Sequence, residues 1–303
     1  MWAINEQFLV SLVIIAIGYV VKRTGLVTKR EGQTLSKLIL NITLPALIIV
    51  TFAEVAFEGH LLWLALIAIL YGVALMFFTR FIFKKEVRPD QGVFVISLLG
   101  FNVGLFAYPF VETIWGAEGL KHMAFFDMGN AVLIFGLAYI AAVLYAPGEK
   151  DVDVRFIVVK LLTFFPLIAY VAALMISLFE IRLPDFGLEI LNTVASANAI
   201  LVLLLLGIYL EFHLDRSLWT SFMKVIVIKY GAGLSVGLIL FFLLPFDDLY
   251  RATILLGLVL PTGMAVIPYA VQNKLNDSLA GGIVNLTNIV SFLFMWGIFL
   301  LLT

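Results

Sequence analysis

Asp127 is an acid set about one turn into the otherwise apolar stretch 122–146, and Asn130 follows one turn later. A carboxylate at membrane depth is costly and by default marks a place where a proton or a cation is held. The competing role for Asp127 is structural, as an acid near the outer interface bonded to a neighbouring helix end. Lys229 poses the same question with the opposite sign. It either snorkels its amine to the interface or serves as a counter-ion, to another residue or to a substrate. Asn41, Asn102, Asn198, Asn285 and Asn288 are amides in apolar runs. Each could be polar glue between helices, and Asn102 points furthest beyond that role because it stands beside an expected helix break. Asp127, Asn130, Asn285 and Asn288 also offer some of the oxygens a sodium ion would need.

The breaks are the second source of chemistry. One run reads Gly100-Phe-Asn-Val-Gly-Leu-Phe-Ala-Tyr-Pro109, and another reads Leu260-Pro-Thr-Gly-Met-Ala-Val-Ile-Pro268. Proline removes a backbone donor and obstructs the turn before it, and glycine weakens the helix around it. Gly100, Gly104 and Pro109 therefore predict an interruption in one helix, and Pro261, Gly263 and Pro268 predict one in another. Unpaired backbone survives at membrane depth only where protein buries it or a cavity wets it. Two interrupted helices would aim two N-termini at the centre, and their free N–H groups and positive dipole ends suit an anion. An ordinary proline kink explains either segment alone less strongly once both occur at matching positions.

The elements that must position these residues are transmembrane helices. Apolar residues make up 63% of the 303-residue chain and charged residues 13%, with mean hydropathy +1.12. Ordinary soluble domains run at about 45–50% and about 25%. A crossing needs about 20 apolar residues, and charges and turn residues divide the chain into ten such runs: 5–22, 35–54, 60–80, 91–114, 122–146, 156–179, 187–211, 221–245, 250–272 and 280–302. The runs are too long and too uniform for a β-barrel. The first lacks a basic leader and a cleavage-site pattern, so a retained helix is expected there. A net charge of −1 gives no reason to expect nucleic acid, and the absence of cysteine removes thiolate chemistry. His60, His122 and His213 lie near run ends without metal-ligand spacing. No phosphate loop, paired catalytic carboxylates or Ser/His/Asp arrangement is present, so an enzyme is not expected.

Alternate loops carry 15 of the 19 Lys and Arg residues, among them Lys22, Lys29, Lys85, Lys150, Arg216 and Lys274, and the opposite loops carry only Lys121, Arg182 and Arg251. The positive-inside rule then places the Lys-rich loops in the cytoplasm and both termini outside. The chain also resembles itself at a spacing near 158 residues. Asn41 is echoed by Asn198, Tyr71-Gly72 by Tyr230-Gly231, Pro109 by Pro268, and Asp127 with Asn130 by Asn285 with Asn288. Five runs per half is an odd number, so 149–303 should be inverted relative to 1–148, the pattern of carriers that bind substrate near the midplane.

Further motifs resemble the auxin efflux carrier family. They include Gly18-Tyr-Val-Val-Lys-Arg-Thr-Gly-Leu26, Leu35 through Leu47, Gly116-Ala-Glu-Gly-Leu120, Phe126-Asp-Met-Gly-Asn130 and Leu203 through Leu210. Leu260 through Ala270 is similar to the ninth-segment crossover of plant PIN-FORMED carriers. The resemblance covers nearly the whole chain. It implies an all-α membrane fold of ten helices in two inverted repeats, shared with bile acid sodium symporters, with broken helices four and nine crossing. It further implies elevator-like movement of that scaffold, and a homodimer or support part built from helices one, two, six and seven. The implied cargo is a small organic anion, such as a dicarboxylate or an auxin-like acid, in the inner or plasma membrane. Crossover residues carry over to Asn102, Gly104, Tyr108, Pro109, Pro261, Thr262 and Pro268. Two departures stand out: bulky Leu105-Phe-Ala-Tyr108 precedes Pro109, and Pro147 to Arg155 replaces the long cytoplasmic loop of plant carriers. A sodium-coupled symporter of the bile acid type and a non-transporting receptor are the competing functions. Protons or sodium are the candidate coupling ions.

Overall fold

In the computed structural model the chain is described over residues 2–54, 58–148, 153–179, 181–211 and 215–302. Lys150, in the expected join between halves, and His213 lie outside these residues. Fifteen α-helices occur among them. In the first half these are α1 (Trp2–Arg23), α2 (Lys29–Leu38), α3 (Leu44–Glu54), α4 (Leu62–Ile82), α5 (Arg88–Leu99), α6 (Tyr108–Ala131) and α7 (Tyr139–Leu144). The rest are α8 (Val154–Leu162), α9 (Phe165–Leu178), α10 (Asp185–Ser196), α11 (Asn198–Tyr209), α12 (Trp219–Leu243), α13 (Asp248–Leu258), α14 (Val266–Gln272) and α15 (Asp277–Leu302). The one extended pairing among the described residues is an isolated antiparallel bridge between Phe101 and Thr262.

Seven helical stretches among the described residues are long and apolar enough to cross a membrane, and the chain is a multi-pass membrane protein. One of them, Val103–Leu144, has 42 residues. At 1.5 Å per residue it is about twice the depth of a hydrocarbon core. Gly116 divides it at φ +61°, ψ −153°, a backbone conformation foreign to a helix and open to glycine. Apolar side chains on α1, α4, α9 and α12 face outward, as lipid contact requires: Val13, Leu70, Val171 and Val227 are each more than half exposed.

Local chemistry sets several helix ends. Thr28 and Glu31 form a reciprocal capping box at the start of α2. The two hydrogen bonds from Thr28 hold the Glu31 carboxyl below the usual carboxylate range. Asp247 caps α13 by accepting from the Tyr250 N–H. Pro109 takes the second position of α6 and Pro166 the second of α9, where a missing N–H costs nothing.

Packing sorts the helices into two groups that cut across the two halves of the sequence. α1 lies along α11, and α3 lies against α9 and α10. In the other group α4 lies along α6 and α5, and α12 along α13. The contact between groups runs chiefly through α6, which touches α3, α11, α1 and α9. Backbone-close approaches at glycines hold helices together within the groups, Gly129 of α6 against the Ala65 carbonyl of α4 among them. A Cβ on Gly18 would stand 2.2 Å from the Leu204 carbonyl oxygen, one on Gly207 would stand 2.0 Å from that of Ile15, and one on Gly233 would stand 2.3 Å from that of Leu258.

Candidate functional site

Both expected interruptions are present. α5 ends at Leu99, Gly100 is extended, Asn102 sits outside helical geometry, and a π-turn over Val103–Ala107 leads into α6. α13 ends at Leu258 and α14 begins only at Val266. The two breaks meet: the Asn102 N–H donates to the Pro261 carbonyl at 2.8 Å, beside the Phe101–Thr262 bridge. Each break thus satisfies part of the other's backbone, which is how irregular chain is tolerated at this depth.

The neighbouring helices supply the rest. The Asn130 amide pairs with both backbone groups of Phe101, accepting from its N–H at 2.8 Å and donating to its carbonyl at 2.9 Å. Its Nδ2 also donates to Asp127 Oδ1 at 2.8 Å. At the second break the clamps are hydroxyls. Thr287 Oγ1 accepts from the Thr262 N–H at 3.1 Å, Thr262 Oγ1 donates to the Ser97 carbonyl at 2.9 Å, and Ser291 Oγ donates to the Val259 carbonyl at 2.7 Å.

A cavity of about 950 Å³ opens beside the breaks. Asn102, Gly104, Asp127, Asn130, Asn285, Asn288 and Pro268 line it. Asn102 is 5% exposed, and its Nδ2 has no hydrogen-bond acceptor. Asn288 Oδ1 likewise lacks a donor. Asn285 Oδ1 accepts from the Glu211 N–H at 3.1 Å. Farther out, the cavity reaches Lys37 and the ion pair of Lys29 with Glu211.

The other expected site residues stand behind the wall. Pro261 and Thr262 are wholly buried in the crossing, and the Thr262 side chain is committed to Ser97. Pro109 is buried in the first turn of α6. Tyr108 points away from the cavity, its hydroxyl against Tyr170 and 3.5 Å from Asp127 Oδ2. Lys229 does not snorkel. It is wholly buried ten residues into α12, without a hydrogen-bond partner, and its Nζ lies 4.4 Å from the Phe101 ring centre. That contact is a cation–π pair with the residue that Asn130 clamps from its backbone side.

Sequence reasoning missed Tyr170, Ser97, Thr287 and Ser291. Thr287 and Ser291 carry a legible signal, since hydroxyls four residues apart share a helix face, and Asn288 lies between them. Tyr170 and Ser97 each stand alone in an apolar run and give no such signal.

Residues 3–299 match the family described as Membrane transport protein, the group of the auxin efflux carriers. The chain belongs to that family. An uncharacterized transporter of Methanothermobacter thermautotrophicus is 24% identical over 98% of both chains. An uncharacterized transporter of Methanocaldococcus jannaschii is 24% identical over 68% of both. The protein is accordingly a membrane transporter.

Proposed function

We propose that this transporter is a secondary carrier of a small organic anion, such as a dicarboxylate or an auxin-like acid, bound in the cavity at the crossed breaks. The observation that carries the reading is the unpaired Asn102 Nδ2, a buried donor on the cavity wall at the start of the helical run into α6. A buried donor without a partner costs about 1–3 kcal/mol, and a bound carboxylate would offset that cost. The helix that Asn102 precedes presents its positive end to the same place.

Asp127 lines the same cavity. A buried carboxylate beside a bound anion is unfavourable unless a cation accompanies the anion, so Asp127 is the proposed coupling site for a proton or a sodium ion. Asn130, Asn285 and Asn288 are further oxygen donors to such a cation. Lys229, behind Phe101, is the candidate counter-ion to the anion.

The ten-span reading follows by adding three passes to the seven long stretches. Gly116 splits 103–144 into two, with α5 completing the first. α8 with α9, and α13 with α14, make the other two. On this reading the halves are inverted repeats, both termini lie outside the plasma membrane, and the cavity opens to the cytoplasm between Lys29 and Lys37. The two packing groups are the proposed bodies of an elevator-like movement, with α1, α2, α3 and α9 to α11 forming the support and homodimer side.

The test is thermal unfolding of the purified protein against a panel of mono- and dicarboxylates, with and without sodium, followed by uptake into proteoliposomes. A carboxylate that raises the unfolding temperature and is taken up supports the reading. Stabilisation by cations or neutral solutes alone contradicts it.

A further inference from the structure

Tyr170 is wholly buried on α9, in the group that packs around α3, yet its hydroxyl donates to Asp127 Oδ2 on α6 at 2.6 Å. It is a side-chain bond from one packing group to the carboxylate of the other. Counting hydrogens fixes its direction. Asp127 Oδ1 is taken by the Asn130 Nδ2, whose orientation is set by its double pairing with Phe101. Tyr170 spends its one hydrogen on Oδ2, so the short Tyr108–Tyr170 contact has Tyr108 as donor. With Asp127 ionised, the chain runs from Tyr108 to Tyr170 and ends on a charged acceptor, the stronger form of the bond.

A proton placed on Oδ2 reverses the chain. Asp127 then donates to Tyr170 and Tyr170 to Tyr108, whose own hydrogen has only the longer 3.5 Å reach to Asp127 Oδ2, and the bond between the two groups is no longer charge-assisted. A sodium ion drawn to the carboxylate would compete with the Tyr170 hydrogen for the charge on Oδ2. The position paired with Asp127 in the sequence repeat behaves differently. Asn285 also bonds across, to the Glu211 N–H beyond α11, but its amide neither ionises nor takes a proton.

We propose that Tyr170 is a positioning residue of the transport site, tying the α6 group to the α3–α9 group most strongly while Asp127 is empty and ionised, and loosening that tie when Asp127 takes its cation. This rests on Asp127 being the coupling site. The groups facing Asp127 are Tyr108 and Asn130 on α6, Tyr170 on α9 and the clamped Phe101 backbone. Lys29, Lys37, Glu211, Asp215 and Asp277 are the charged groups elsewhere on the cavity wall, and Lys229 lies beyond Phe101.

The chain has no cysteine, so Ala265→Cys on the cavity wall gives a background-free reporter. Its labelling rate by a membrane-impermeant thiol reagent is measured in oriented vesicles across a series of pH values and sodium concentrations. The proposal expects labelling to change about tenfold as the driving cation saturates, the scale of losing one hydrogen bond to a charged group. Tyr170→Phe, which keeps the ring, should flatten that dependence, and so should Asp127→Asn. If Asp127→Asn flattens it and Tyr170→Phe behaves as the parent, Tyr170 is not the tie although Asp127 remains the coupling site. If Asp127→Asn responds like the parent, or the parent does not respond at all, the coupling assignment fails and this inference fails with it. Backbone hydrogen exchange over Phe165–Leu178 in the reporter-free protein is the second measurement. It should speed up when the cation is added, and unchanged exchange overturns the proposal whatever the variants do.

Discussion

The two breaks are built from different chemistry although they occupy matching positions in the sequence. The second is closed with hydroxyls: Thr262, Thr287 and Ser291 each hold a backbone group, and the Tyr230 hydroxyl lies 2.8 Å from the Thr287 carbonyl and 2.7 Å from Ser291 Oγ. The first is closed by one amide, Asn130, and leaves polar atoms over. Asn102 Nδ2 is unpaired, and Tyr71, the sequence counterpart of Tyr230, stacks on Phe101 with its hydroxyl unpartnered. A short hydroxyl bonded to the nearest carbonyl has no hydrogen left to donate to an anion. An amide that caps no helix keeps two donors, and here neither meets an acceptor in the protein. The comparison separates a structural break from a binding break in one crossing.

The sharpest way to break that distinction is at the clamps. Asn130→Leu strips the Phe101 N–H, the Phe101 carbonyl and Asp127 of partners together. At about 1–3 kcal/mol for each buried group left unpaired, a loss of roughly 3–5 kcal/mol and of most folded protein is expected by detergent thermal unfolding. Thr287→Val removes only the acceptor for the Thr262 N–H, and the remaining hydroxyls still hold the second break. Its expected cost is about 1–2 kcal/mol. Equal losses in the two variants would erase the asymmetry between the breaks.

Lys229 tests the first break from its other face. Its amine is buried with only the Phe101 ring for company. A lone amine held out of water without a hydrogen bond is costly, so an apolar side chain of similar length in its place should be neutral to stabilising. Lys229→Met should therefore unfold at a temperature equal to or above the parent's while its affinity for the anion falls. A lower unfolding temperature would show that the amine contributes to stability where it lies.

The all-helical membrane character and the two interruptions were legible because they follow from two strong signals, apolar runs of crossing length and proline with glycine inside them. Gly100, Asn102, Pro261 and Gly263 do mark the interruptions. The residues that face the cavity were less legible. Thr262 reads as a ligand by its place beside Pro261, yet its hydroxyl turns to Ser97, a contact 165 residues away in sequence. Tyr108 and Tyr170 meet across 62 residues between different packing groups. Such pairings depend on how helices rotate against each other, and an apolar run that is buried or lipid-covered on nearly every side carries little periodicity to fix that rotation.

Asn102 and Thr262 flank the contact between the two breaks, and of the two only Asn102 offers the cavity a free donor. The direct measurement is calorimetric titration of the stabilising carboxylate into Asn102→Ala and Thr262→Ala, each with its unfolding temperature. Asn102→Ala should bind about ten- to a hundredfold more weakly, the loss of one hydrogen bond to a charged group, with an unfolding temperature close to the parent's. Thr262→Ala should unfold earlier and bind within about twofold of the parent. Parent-like affinity in a folded Asn102→Ala, or a larger loss of affinity in Thr262→Ala, would place the anion somewhere other than the first break.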